Sequence, residues 1–237
     1  MFKQIFFLLL LTTAFSSYAQ TEDTDSSFFH VSLQDNEMVV RDSSNDIIDS
    51  WSFESPEIYE LDVNGDGQKE IIVIDNISKD EIPNYTLYLF AVGDVIELID
   101  SLSSGRLEPS IEYSTELNTT IIGVGIPKLD LLLYDSKQDT VLAPRKYYKF
   151  DTSSVSEVSS ELYSTYIENA NQLLSEFPEL VDNTSANCDK ASKYLSIIFS
   201  VYYDYLQAGE LSLAKNIQED YKTCQSFNNL VLLINSQ

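Results

Sequence analysis

Three oxygen-bearing side chains stand at alternate positions in the stretch ELDVNGDGQKEIIVID: Asp62, Asn64 and Asp66. Gly65 and Gly67 punctuate them, and Glu70 follows. Alternate side chains of a tight loop can all turn toward its inside. Oxygen donors gathered that way suit a hard cation, and calcium takes about six to eight of them at roughly 2.3–2.6 Å. Asp62, Asn64 and Asp66 are read as the first, third and fifth ligands. Gln68 is expected to add its backbone carbonyl, and Glu70 a carboxylate at the ninth position, direct or through water. Gly67 would take the conformation that lets the chain turn around the ion. The competing reading is an Asn-Gly or Asp-Gly hairpin turn that binds nothing. Such a turn needs one pair only and leaves the alternating oxygens and Glu70 unexplained, so Ca2+ is the expected cofactor.

The loop is not a helix–loop–helix calcium hand. That motif closes with a bidentate Glu at its twelfth position, where this chain has Val73. The flanks, EIYEL and EIIVID, read as strands. The stretch DVNGDGQKEIIV resembles the calcium loop of FG-GAP or VCBS repeats, found in integrin-like β-propeller blades and in many secreted bacterial proteins. The resemblance covers roughly residues 51–100. It implies a strand entering and a strand leaving the loop, with Asp62, Asn64, Asp66, Gln68 (backbone) and Glu70 as ligands. Such proteins carry several repeats, whereas this chain offers one.

Other chemistry is sparse. A catalytic base working near neutral pH is most often a histidine, and the chain has one, His30, in an early strand-like run. It is read as a packing or surface residue. No Gly-x-Ser-x-Gly elbow, phosphate loop or dinucleotide fingerprint occurs. Trp51, the single tryptophan, is read as an anchor of the sheet in preference to a sugar-stacking platform. With 38 acidic residues many carboxylate pairs are conceivable, and none stands out.

The elements that would position the loop follow from periodicity. From Phe28 to about Phe150, short runs rich in Val, Ile, Tyr and Phe alternate with turn residues. FFHVSL and EMVVRD flank QDN. DIIDSWSF, EIYEL, EIIVID, YTLYLFAV and VIELIDSL follow, the last two joined at Gly93-Asp94. TTIIGV, LDLLLYD and RKYYKF complete the series. The links are too short for helical crossovers, so the sheet should be antiparallel, a meander or blade-like arrangement. From about Val155 the period turns helical: Val158, Leu162, Tyr166, Ala170, Leu173 and Phe177 share a face. Ala191, Leu195, Ile198, Tyr202 and Leu206 mark another helix, broken at Ala208-Gly209. Ala214, Ile217 and Tyr221 mark a third, and Phe227, Leu230, Val231 and Ile234 a short last one. The tyrosines of YLSIIFSVYYDYL are read as core and rim, since aromatic residues at helical spacing mostly pack. The expected fold is α+β. A β domain over 28–152 precedes a small helical bundle over 153–237.

The first residues, MFKQIFFLLLLTTAFSSYAQ, have a positive start, a short apolar run and small residues before a cleavage point after Ala19. This pattern predicts a signal peptide over 1–19, with a polar leader over 20–27. Removing 19 of 237 residues leaves 218. The expected destination is the periplasm, the cell surface or the medium, with no membrane insertion after cleavage. The chain carries 38 acidic against 14 basic residues, a net charge of −24. That field repels nucleic acid and anionic lipid. Export permits a disulfide. Cys188 and Cys224, the two cysteines, are expected to form one. The function read from these features is an exported, non-catalytic binding or structural protein with a calcium-stabilised β domain. Its partner would be a protein or a carbohydrate. A secreted hydrolase using a carboxylate pair, and an acidic inhibitor of a basic partner, are the rival readings.

Overall fold

The computed structural model describes residues 29–78, 81–133, 144–180, 188 and 194–235. The expected signal peptide and leader lie outside the described residues.

The chain first folds as three successive antiparallel meanders. Strands β1 (Phe29–Gln34), β2 (Glu37–Asp42) and β3 (Ile47–Ser52) form the first sheet. Strands β4 (Pro56–Leu61), β5 (Glu70–Asn76), β6 (Tyr85–Val92) and β7 (Ile96–Gly105) form the second in that order. Strands β8 (Ser110–Ser114), β9 (Thr119–Val124), β10 (Lys146–Asp151) and β11 (Ser154–Glu157) form the third. Turn chemistry sets the hairpins. Asp35 and Asn36 between β1 and β2 have φ of 49° and 65°, the paired left-handed values of a type I′ turn.

Alternation along the central strands makes the second and third sheets each a layer between two cores. On β5, Ile71 and Val73 join Met38, Val40 and Phe90 in a core shared with the first sheet. Ile72 and Ile74 point the other way and join Ile122, Val124 and Phe150 of the third sheet. The third sheet repeats the device: Ile122 faces the second sheet, while Ile121 and Tyr147 face the helices. A strand buried on both faces reads as an unbroken apolar run, which is why EIIVI shows no polar alternation.

The helices cover the free face of the third sheet. They are α1 (Asp130–Leu133), α2 (Tyr163–Glu176), α3 (Leu195–Gln207), α4 (Leu211–Asp220) and α5 (Gln225–Asn235). The expected stripe of Val158, Leu162, Tyr166 and Ala170 is buried, together with Ile198, Phe199, Tyr202, Phe227, Leu230 and Val231. The expected tyrosines are core: Tyr202, Tyr203 and Tyr205 are buried on α3. The end of α3 is a Schellman turn. Gly209, at φ 76°, donates to Leu206 O, and Glu210 N–H donates back to Tyr205 O. Among the described residues no helix is long and apolar enough to cross a membrane.

The architecture is the expected α+β, an antiparallel meander assembly followed by helices, but several local expectations differ. The described part of LDLLLYD, residues 129–133, is not a strand, and Tyr134 and Asp135 lie outside the described residues. Pro127–Leu129 form a 3-10 turn that leads into α1, because Leu129 and Leu133 are four residues apart and both bury against the helical core. Residues 154–157 are not helical; they form β11, with Val155 opposite Phe150. The hairpin β10–β11 therefore spans the expected boundary between 152 and 153, and the third sheet shares its core with the helices. The Gly93-Asp94 hairpin uses three residues, since Gly93 N–H closes on Val95 O. Strand β8 carries a weak alternating pattern, SIEYS, that periodicity overlooks.

Candidate metal centre

The loop between β4 and β5 is positioned by a long register. Leu61 pairs with Glu70 and Glu60 with Ile71, so the two strands meet at the base of residues 62–69. Inside the loop the acidic side chains organise the backbone. Asp62 accepts hydrogen bonds from Gly65 N–H at 2.7 Å and Gly67 N–H at 3.0 Å. Asn64 Oδ1 accepts from Asp66 N–H at 2.9 Å, and Asp66 Oδ1 from Gln68 N–H at 2.8 Å. Gly65 and Gly67 stand at φ 79° and 88°, where a Cβ is strained. These are successive side-chain turns in which Asn and Asp bond the backbone two, three or, for Asp62 and Gly67, five residues ahead.

Glu70 anchors the loop from below. It is 3 % exposed. One oxygen accepts Val63 N–H at 2.9 Å and the other accepts the Asn64 amide at 3.1 Å. The same Asn64 amide reaches Asp66 Oδ2 at 3.1 Å. Both groups that donate to Glu70 are neutral. Burial pushes its carboxyl above the ordinary value. The Val63 N–H opposes that shift, while the charges of Asp66 and Asp62 add to it. A buried carboxylate in the field of two others is costly without a compensating charge.

The structure thus brings Asn64, Asp66 and Glu70 together through one amide and ties Asp62 to the two glycines. Gln68 is exposed, and its carbonyl accepts no hydrogen bond from the described residues. Among the described residues, no group of three or more His, Cys, Asp or Glu side chains is gathered to hold a metal. The carboxylates of Asp62 and Asp66 turn onto loop N–H groups instead. The donor set still fits calcium in kind: three carboxylates, one amide oxygen and one carbonyl are all hard oxygen ligands. Each carboxylate oxygen keeps a lone pair beyond the one its N–H occupies.

The remaining sequence candidates are elsewhere. His30 is exposed on β1, opposite Arg41. Trp51 packs edge-on to Phe90 with ring centroids 5.0 Å apart and belongs to the core between the first and second sheets. Cys188 and Cys224 form the expected disulfide, with Cα atoms 5.2 Å apart. Cys224 lies immediately before α5, and its carbonyl accepts Asn228 N–H.

A buried carboxylate went unnoticed in the sequence. Asp204 on α3 is 4 % exposed and has no side-chain hydrogen bond within the described residues. Desolvation pushes its pKa well above the usual carboxylate range. Its charge acts on Tyr147, Tyr166, Tyr203 and Tyr205. The signal available was a lone Asp inside the apolar run SIIFSVYYDYL. Comparison of the chain with protein-family models, curated proteins and solved structures returns no match.

Proposed function

We propose that the β4–β5 loop binds calcium and that the chain is an exported, non-catalytic protein whose sheets are stapled by that ion. The observation that supports this reading is Glu70: a buried carboxylate, flanked by Asp62 and Asp66, whose hydrogen-bond donors are all neutral. The Asn64 amide lies between Glu70 and Asp66. A divalent cation supplies the charge that this neutral donor lacks. Asp62, Asn64 and Asp66 would hold it through side-chain oxygens, Gln68 through its carbonyl and Glu70 from beneath.

The ion's role in this reading is structural, as in FG-GAP or VCBS repeats. Leu61 and Glu70 close the ladder under the loop, and Val63 seats in the core between the second and third sheets. Ordering residues 62–70 therefore fixes the entry to β5, the strand that is buried on both faces. Delivery by a signal peptide to the periplasm, surface or medium places the chain where millimolar calcium and disulfides are both available.

Calcium titration of the mature protein tests the proposal, with thermal unfolding as readout, beside Asp66→Ala. Binding to the folded state stabilises by about 2.7 kcal/mol at a hundredfold excess over Kd. The wild type should gain several degrees and the variant none. Equal behaviour of the two proteins, or no response to millimolar calcium, sinks the reading.

A further inference from the structure

A second site lies where the third sheet meets the ends of two helices. Lys128 from the 3-10 turn, Lys146 from β10 and Glu157 from β11 line one side of a cleft of about 250 Å³. Tyr203 and Gln207 from α3 and Asn235 from α5 line the other. The cleft has room for one ligand of monosaccharide size, small beside drug-sized pockets.

Its polar groups are not consumed by the fold. Tyr203 is 4 % exposed, and its hydroxyl has no hydrogen-bond partner among the described residues. Tyr203 lines the cleft across from Glu157 and Lys146. Buried hydroxyls are nearly always satisfied, so this one is aimed at something the cleft contains. The Gln207 and Asn235 amides likewise have no side-chain hydrogen bond within the described residues. They offer donors and acceptors together.

The charges discriminate further. Lys146 is committed to Glu157 at 2.8 Å. Lys128 has no carboxylate at ion-pair distance among the described residues and makes a single long contact, 3.4 Å to Leu233 O. Two ammonium groups against one carboxylate leave the cleft one positive charge in excess, in a chain of net charge −24. Desolvation, and to a smaller extent the nearby Lys146, lower the Lys128 pKa. An anion entering here relieves both.

We propose that this cleft binds a small hydroxylated monocarboxylate of the sugar-acid class. The Lys128 ammonium takes the carboxylate, and the Tyr203 hydroxyl with the Gln207 and Asn235 amides takes the ligand hydroxyls. The cleft shares no residue with the β4–β5 loop, so the assignment stands or falls separately from calcium binding.

Glucuronate is the probe, with glucose as its uncharged counterpart. Titration of the mature protein, followed by calorimetry or by amide shifts, should show saturable glucuronate binding at least tenfold tighter than that of glucose. Lys128→Met removes an exposed charge without touching the core, and should erase the preference for glucuronate. Tyr203→Phe should weaken binding about tenfold, the worth of one hydrogen bond to a polar ligand, with its melting temperature checking the fold. Failure of glucuronate to saturate overturns the proposal. So does equal affinity for glucose, or an unchanged preference in Lys128→Met.

Discussion

The β4–β5 loop and the cleft beside α3 are assembled in opposite ways. The loop takes every donor from nine consecutive positions, 62–70, and its geometry is set by hydrogen bonds between neighbours in the chain. The cleft takes its walls from residues between 126 and 235. It depends on the packing of the sheet on the helices, where Tyr147 of β10 and Tyr166 of α2 meet edge to face at 5.4 Å. A local site depends on turn chemistry and tolerates distant damage. An assembled site inherits every weakness of the packing that builds it.

The staples of the two regions differ in the same way, which gives the largest test. The Cys188–Cys224 bridge spans a sequence separation of 36, and closing a loop of that size is worth roughly 4 kcal/mol in the chain-entropy model. Cys224 caps the start of α5, and α5 carries Ile234 and Asn235 to the cleft. The double variant Cys188→Ser/Cys224→Ser should therefore lose about that much stability by denaturant unfolding. Glucuronate binding should fail at temperatures where the calcium response of the loop survives. Simultaneous loss of both responses would break the contrast and show one cooperative unit in which neither site is local.

The same contrast explains what was legible in the sequence. The loop was readable because its pattern is contiguous: alternating Asp62, Asn64 and Asp66 with glycines is visible without knowing the fold. Most strands were readable for the same reason, since period-2 runs and turn residues are local signals. The end of α3 was readable from Gly209. The three-layer stacking was not, because EIIVI says only that β5 is buried, not that its alternate residues serve two different cores. LDLLLYD was misread because a short apolar run fits a strand or a helical turn equally; Leu129 and Leu133 declare for the helix only once α2 and α5 stand above them. Near 152 the period says nothing of the hairpin that crosses it: β11 pairs with β10 while Val158, just after β11, already belongs to the helical core. Nothing in Lys128, Lys146, Glu157 or Tyr203 marks them individually.

Asp204 sharpens the helical side of the comparison. Desolvation raises its folded pKa well above the ordinary 3.8, so the folded state binds its proton more tightly than the unfolded state does. Stability from this group is complete below the unfolded pKa and is lost as pH rises toward the folded value. The titratable groups nearest it are Tyr147 on β10, Tyr166 on α2, and Tyr203 and Tyr205, its sequence neighbours on α3. All four phenols are pushed above the usual phenol range, so in this cluster the carboxyl of Asp204 titrates before them. Asp204→Asn should be the more stable protein at neutral pH, with the difference closing as pH falls into the carboxylate range. A pH-independent difference in melting temperature would mean that Asp204 is already neutralised by another route. The loop should show no part of this effect, since none of its residues touches Asp204.

The smallest effect compares two glycines. Gly67 in the loop and Gly209 after α3 stand at φ 88° and 76°, and an added Cβ at either meets nothing within 4 Å. Alanine at either position therefore costs only the left-handed backbone strain, about 1 kcal/mol. At Gly209 that cost falls on a helix end, and ligand binding at both sites should be unchanged once the protein is folded. At Gly67 it falls between Asp66 and Gln68, inside the proposed coordination sphere. The same strain there should appear twice, as about 1 kcal/mol of stability without calcium and as a several-fold rise in calcium Kd. Matched stability losses with calcium affinity reduced only in Gly67→Ala would separate a site made by its own backbone from a turn that merely ends a helix. Equal calcium affinity in the two variants would return residues 62–70 to the status of a hairpin turn.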